Sequence, residues 1–247
     1  MSGLIDFLTD SANWSGTDGI PTRLLEHVQL SGVSILIALA PAILLGLYIG
    51  HTRRFEFIVS IVALGRALPS FAVMAFFFPM QLRFGWGFTP WAAVIAMVLL
   101  AIPPILTNTY VGVRDVDADT LEAARGMGMS ERDVLRKIEL PLAVPLAIAG
   151  LRTAAVQVVA TMTLAALIAG GGLGRYIVDG SALGSNSESG VAKLLAGAVL
   201  VALLAIVVDG FLGIVERLAS PRTTSRGRRR VPEEHLDVLP APDLTAS

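Results

Sequence analysis

Between about residues 24 and 217, long apolar stretches alternate with short polar ones, and the lengths of the apolar stretches decide what they are. Five reach the ~20 residues that a helix needs to cross a hydrocarbon core: about Leu24 to Gly50, Ile58 to Met80, Pro90 to Val113, Val144 to Ala169 and Ala192 to Val215. Polar or helix-bending residues fall inside each one. Pro41 lies in the first, Arg66, Pro69 and Ser70 in the second, Pro103 and Pro104 in the third, Arg152, Gln157, Thr161 and Thr163 in the fourth, and Asp209 in the fifth. Proline in successive spans predicts bent helices with gaps between them, the arrangement of a bundle around a solvated pathway. The expected class is all-α: a polytopic membrane bundle of about five transmembrane helices.

One long polar stretch interrupts this pattern, from Glu122 to Pro141. Glu122, Ala123 and Ala124 favour helix, Gly126 and Gly128 weaken it, and Ser130 followed by Asp133 resembles a capping box that restarts a second helix. The island therefore reads as two short helices, over about 118–141, joined by a turn near Gly128, with the second running to Pro141. Leu121, Ala124, Val134, Leu135 and Ile138 are left available for apolar contact.

The ends differ from the bundle. Residues 1–23 lack the basic start and apolar core of a secretory signal, so no cleaved leader is expected; Leu4, Ile5, Phe7 and Leu8 could make a short interfacial helix. Gly170 to Gly190 reads as a glycine-rich loop with a brief helix around Tyr176 to Val178. Residues 218–247, first basic and then acidic, read as a disordered tail whose arginines face lipid headgroups.

Composition agrees with a bilayer: 54% of the 247 residues are hydrophobic and only 16% are charged, with a mean hydropathy of +0.69. A net charge of -1 conceals a local asymmetry. Arg53, Arg54, Arg114, Arg125, Arg132, Arg136, Lys137 and the arginines of the tail fall on one side of an odd number of spans, whereas the opposite loops offer Arg83, Arg175 and Lys193. The rich side is expected in the cytoplasm and the amino terminus outside. With no cysteine there is no disulfide framework, thiolate metal site or thiol catalyst. His27, His51 and His235 are scattered and no carboxylate pair has a catalytic spacing, so neither an enzyme nor a metal site is predicted. The run Gly170, Gly171, Gly172, Leu173, Gly174 is followed by no Gly-Lys-Ser/Thr and preceded by no strand, so it is no phosphate-binding loop. Trp86 and Trp91 read as an interfacial belt before they read as an aromatic cage. Nothing points to nucleic acid.

The island carries a resemblance. Glu122-Ala123-Ala124, then Gly128, Ile138 and Leu140-Pro141 resemble the cytoplasmic coupling motif in membrane subunits of bacterial ATP-binding-cassette importers. The flanking Asn108-Thr109-Tyr110, Gly150-Leu151-Arg152-Thr153 and the glycine run resemble the branch that imports glycine betaine, choline, carnitine and related osmoprotectants. The resemblance implies the type I importer fold (MetI-like), in the bacterial inner membrane. It implies a permease domain over 24–217 and a coupling role for Glu122, Ala123, Ala124, Gly128, Ile138, Leu140 and Pro141. The implied partners are two ATP-binding subunits that carry ATP and Mg, a second permease copy or paralogue, and an extracytoplasmic solute-binding protein. The chain itself holds no cofactor. In this picture the island's apolar faces make the contact with the ATPase, and Arg66, Pro69, Ser70, Asn108, Arg152, Gln157, Thr161 and Asp209 are the pathway or buried polar candidates. Asp209 has reason to pair with Arg152 or Arg66, since a lone charge at that depth is costly. Methionine or another small amine as cargo, and an ion-coupled transporter without an ATPase, remain as alternatives.

Overall fold

A computed structural model of the chain describes residues 2–168, 170–184 and 186–220, and their regular structure is entirely helical. In chain order the helices are α1 (Ser2–Thr9), α2 (Ile20–Thr52), α3 (Glu56–Leu64), α4 (Ser70–Arg83), α5 (Trp91–Arg114), α6 (Ala118–Gly126), α7 (Glu131–Val134), α8 (Leu140–Thr161), α9 (Gly174–Ala182) and α10 (Glu188–Ala219), with short 3-10 or π turns between some of them. The expected tail falls largely on residues 221–247, outside the described residues.

The bundle is organised around α5, which packs against α2, α8, α4 and α3. Its buried face, including Ala93, Ala96, Met97, Ala101, Ile105 and Leu106, joins Ala38, Ala42 and Ile49 of α2 and Ala154 and Val158 of α8 in one apolar core. Lipid tails are as apolar as these side chains, so close packing rather than escape from water must hold the helices together. Glycines make that approach possible. A Cβ on Gly50 would lie 2.7 Å from Val113 Cβ, one on Gly112 2.9 Å from Ala143 Cα, and one on Gly150 2.6 Å from the carbonyl oxygen of Pro104.

Two sequence expectations are corrected. The second apolar stretch is not one continuous helix: α3 and its 3-10 extension meet α4 at 89°. Pro69 stands at the break; it has no N–H to donate and disfavours helical geometry at its predecessor. Leu68 accordingly sits at φ -71, ψ 125. By contrast α2 continues through Pro41 and α5 through Pro103 and Pro104.

The second correction concerns the island. Its second helix does not stop at Pro141 but forms the foot of the fourth span, an unbroken helical run of 37 residues from Glu131 to Leu167. A π turn over Leu135–Glu139 makes the join, with Leu140 N–H reaching back to the Leu135 carbonyl. The longer turn shifts the hydrogen-bond register just before Pro141, where an ordinary α-turn would have met the ring and a missing donor.

Near the chain's start, α1 lies on α10, and the Phe7 ring stands edge-on to Tyr176 at 5.7 Å. Within the glycine-rich stretch, α9 extends beyond the brief turn expected there and packs on α10.

Candidate functional site

The island folds as a small unit of its own. Asp117 caps α6 by accepting from Thr120 N–H at 3.0 Å, and Ser130 caps α7 by accepting from Asp133 N–H at 3.3 Å. Between them Gly128 takes φ +84. Its N–H bonds to the Arg125 carbonyl at 2.9 Å and the next N–H, of Met129, to Ala124 at 3.2 Å, the paired closure in which a left-handed residue ends a helix. Beneath the turn, Leu121, Ala124, Val134 and Val116 form a core with Met129 and Ile138 against it.

This corrects the expectation that Leu121, Ala124 and Val134 are left available for contact, while Leu135 and Ile138 are half-buried. Leu121, Ala124 and Val134 are 5%, 1% and 0% exposed, consumed in holding the two helices together. What the island presents instead is Glu122, Ala123, Gly126, Gly128 and Met127, the last 78% exposed. Leu140 and Pro141 are exposed at the foot of the span, and Ile138 is half-buried.

Charge pairs fix the outline. Arg125 grips Glu131 through Nε at 2.9 Å and Nη2 at 3.2 Å, and this guanidinium holds the Glu131 carboxyl below its usual range. The Asp133 carboxyl is pulled down to about 2 by Lys137 and by the Ser130 hydroxyl. His51, at the end of α2, also lands here, with Nδ1 2.6 Å from Glu139 Oε2. Sequence reasoning missed that pair, because the two residues are 88 positions apart and His51 reads as part of a basic loop.

A second cluster lies inside the bundle's span. Arg152 on α8 meets Asp209 on α10 by two parallel hydrogen bonds, Nε to Oδ1 at 2.6 Å and Nη2 to Oδ2 at 2.7 Å. Glu216, two turns further along α10, takes Nη1 at 3.3 Å. Gly213 stands between the two carboxylates on that face, where a Cβ would come within 3.3 Å of the guanidinium carbon. Glu216 and the vacancy at Gly213 were not foreseen. Thr153 and Gln157, one and five residues beyond Arg152 on α8, line the same open cavity of about 370 Å³.

The remaining candidates do not converge there. Arg66 is exposed at the bend and takes no part in the Asp209 cluster. Pro69 precedes α4, and Ser70 lines a separate apolar cavity of about 270 Å³ between the bend and α5. Asn108 Nδ2 donates to the Pro104 carbonyl at 2.8 Å, in the seam between α5 and α8. Thr161 closes α8, half-buried.

At the other end of the bundle the glycine run packs onto α2. Gly172 N–H donates to Glu26 Oε2 at 2.8 Å, His27 Nε2 donates to the Val159 carbonyl at 2.9 Å, and Tyr176 Oη donates to the Asp18 carbonyl at 2.6 Å. Arg23 bridges Asp18 and Glu26. The run closes one end of the bundle.

Comparison with known proteins places these features in context. Residues 42–220 match the family described as binding-protein-dependent transport system inner membrane component. The choline transport system permease protein OpuBB of Bacillus subtilis (strain 168) is 37% identical over 205 residues, 83% of this chain and 90% of that protein. The glycine betaine/carnitine/choline transport system permease protein OpuCB of the same organism is 34% identical over 198 residues, 80% of this chain and 87% of that protein. Among solved structures, an inward-facing form of the MetNI methionine ABC transporter superposes with a TM-score of 0.71, at 18% identity, over 82% of this chain and 96% of that one.

Proposed function

The chain belongs to the family of binding-protein-dependent transport system inner membrane components, and from that premise we propose that it lines the import pathway for small quaternary-ammonium osmoprotectants such as glycine betaine, carnitine or choline. It is a transport permease subunit of multi-pass membrane architecture. In the proposed complex a second permease, identical or related, completes the pathway. Two ATP-binding subunits with their ATP and Mg grip the islands, and an extracytoplasmic solute-binding protein delivers the cargo. The amino terminus lies outside and the island and carboxyl end inside.

The observation that carries the coupling role is the island's construction. Its two helices share a closed core and its second helix is continuous with α8, so a push on Glu122, Ala123 or Met127 moves a rigid foot instead of deforming a loop. Closure of the ATPases around ATP would displace that foot and tilt α8, switching access across the bundle. The cargo class is supported by the two Bacillus relatives, one a choline and the other a glycine betaine/carnitine/choline transport system permease.

The test is uptake of labelled choline, glycine betaine and carnitine by proteoliposomes holding the permease, the ATPase and the binding protein. ATP-dependent uptake competed by any of the three, and not by methionine, is the expected result. Competition by methionine would reassign the cargo. Uptake that survives ATP removal but collapses with the proton gradient would favour an ion-coupled transporter, the reading to which the Arg152, Asp209 and Glu216 cluster otherwise lends itself.

A further inference from the structure

The last turn of α2 ends against the root of the island, and four side chains there stand in file. Glu139 Oε2 meets His51 Nδ1 at 2.6 Å. On the other side of the ring, Nε2 faces Glu131 Oε2 at 3.8 Å, and Glu131 is held by both Nε and Nη2 of Arg125. The file thus joins α2, the π turn, α7 and α6.

Glu139 gives the file its meaning. Its side chain is only 3% exposed, and a carboxylate so buried needs a partner; among the described residues His51 reaches it. Glu139 is also the last residue of the π turn, the irregular stretch nearest the island in the helical run that would carry any displacement of the island into the bundle. His51, in contrast, rises from a helix that α5 holds at backbone distance: a Cβ on Gly46 would lie 2.9 Å from the Leu106 carbonyl oxygen, and one on Gly50 3.1 Å from that of Tyr110. Between the end of α2 and α6 lies an open cavity of about 510 Å³, lined by Thr52, Arg53, Ala118 and Glu122 and also by His51, Arg125 and Glu139, so the file itself spans the gap beside α6. The irregular joint is therefore tied at one buried point to the closely packed α2 and α5 pair.

We propose that His51 and Glu139 form a brace that carries displacement of the island into α2, so that α2 and α8 move together. His51 is a positioning residue in this scheme; it touches neither cargo nor nucleotide. The proposal rests on the ATPase-coupled reading above. Without the brace the island would still dock and the ATPase would still turn over, but part of the stroke would be lost in the gap beside α6.

The experiment measures cargo taken up per ATP hydrolysed, in proteoliposomes holding the permease, its ATPase and the binding protein. His51→Asn places an amide donor where Nδ1 stands and should keep uptake per ATP near the wild-type value. His51→Gln places the donor nearer Nε2 and should lower uptake per ATP by about tenfold, the scale on which residues remote from a ligand modulate coupling, while ATPase stimulation persists. Should a lone buried Glu139 prevent folding, the double variant His51→Leu with Glu139→Leu removes both polar partners. It should assemble with the ATPase and remain uncoupled. Wild-type uptake per ATP in the double variant, or in His51→Gln, would overturn the brace. If wild-type uptake proves independent of ATP, the coupling reading itself falls and the brace with it. If uptake is ATP-driven and Gly128→Val uncouples it while His51→Gln does not, the brace alone is lost.

Discussion

Gly128 is the residue at which one added carbon atom tests the coupling role most directly. Nothing lies within 4 Å of where its Cβ would be, and φ is +84, so Gly128→Val meets backbone strain of about 1–2 kcal/mol rather than a clash. Insertion and expression should stay normal while uptake per ATP falls; normal transport at normal expression would count against the coupling role. The cap that follows has its own signature. Asp133 has a folded-state pKa of about 2, below its ordinary 3.8, so its contribution to the island is complete above the ordinary value and lost as pH falls through about 2. An NMR titration of the Asp133 carboxyl should show its midpoint near that lower pH. At Arg152, Asp209→Arg should impair assembly or transport, and adding Arg152→Asp should recover part of the loss. Adding Arg66→Asp should recover none, because Arg66 lies outside the cluster. The cost of a lone charge at that depth nominated Arg152 and Arg66 alike for Asp209, and only the fold separates them, since Arg152 meets Asp209 and Arg66 does not. That cost could not nominate Glu216, which reads from the chain as an ordinary helix-end carboxylate, nor the space at Gly213, which exists only once α8 lies alongside.

Among the elements, the seam between α5 and α8 is the most exacting. Gly150→Leu would drive a side chain into the Pro104 carbonyl, 2.6 Å from the first added carbon, and backbone cannot rotate aside as a side chain can. Overpacking of this kind typically costs about 1–3 kcal/mol, so a lower melting temperature in detergent and a reduced yield of folded protein are expected. A wild-type melting curve would show that the helices separate more readily than the contacts imply. Span boundaries were largely legible, since hydropathy marks what must sit in lipid. The break at Pro69 was not, because hydropathy is blind to backbone geometry and a proline reads alike whether a helix bends or continues. Burial does not separate the cases either: Pro103 and Pro104 are buried, but Pro41, through which α2 continues, is exposed like Pro69. The continuity of α7 with α8 was hidden for a related reason, since Pro141 resembles a terminator unless a π turn precedes it.

For the molecule as a whole, charge placement and contacts divide the bundle into two ends. His51, Arg114, Glu56, Arg125 and Glu139 gather at one, and Asp18, Arg23, Glu26, Gly172 and Tyr176 at the other. The proposed orientation puts the first inside. Because the chain has no cysteine, single cysteines at Ser11, Ser130 and Ser225 can be labelled in intact cells with an impermeant reagent; only Ser11 should react, and labelling of Ser130 would invert the topology. The bundle's class was readable early, because few folds satisfy five apolar stretches and one polar island; its closed end was not, since Glu26 and Gly172 lie 146 positions apart. The right-angle bend also bears on how the molecule is made. With 9 residues in α3 and 14 in α4, the arms are about 14 and 21 Å long at ~1.5 Å per residue, each short of a ~30 Å hydrocarbon core. As the ribosome delivers them, neither arm can be released into lipid as a finished span. Ala96, Leu100 and Pro103 of α5 line the cavity at the bend, so the pair is expected to settle stably in lipid only once α5 has emerged; a chain truncated before Trp91 should be extracted from membranes at alkaline pH, and full integration of that chain would show otherwise.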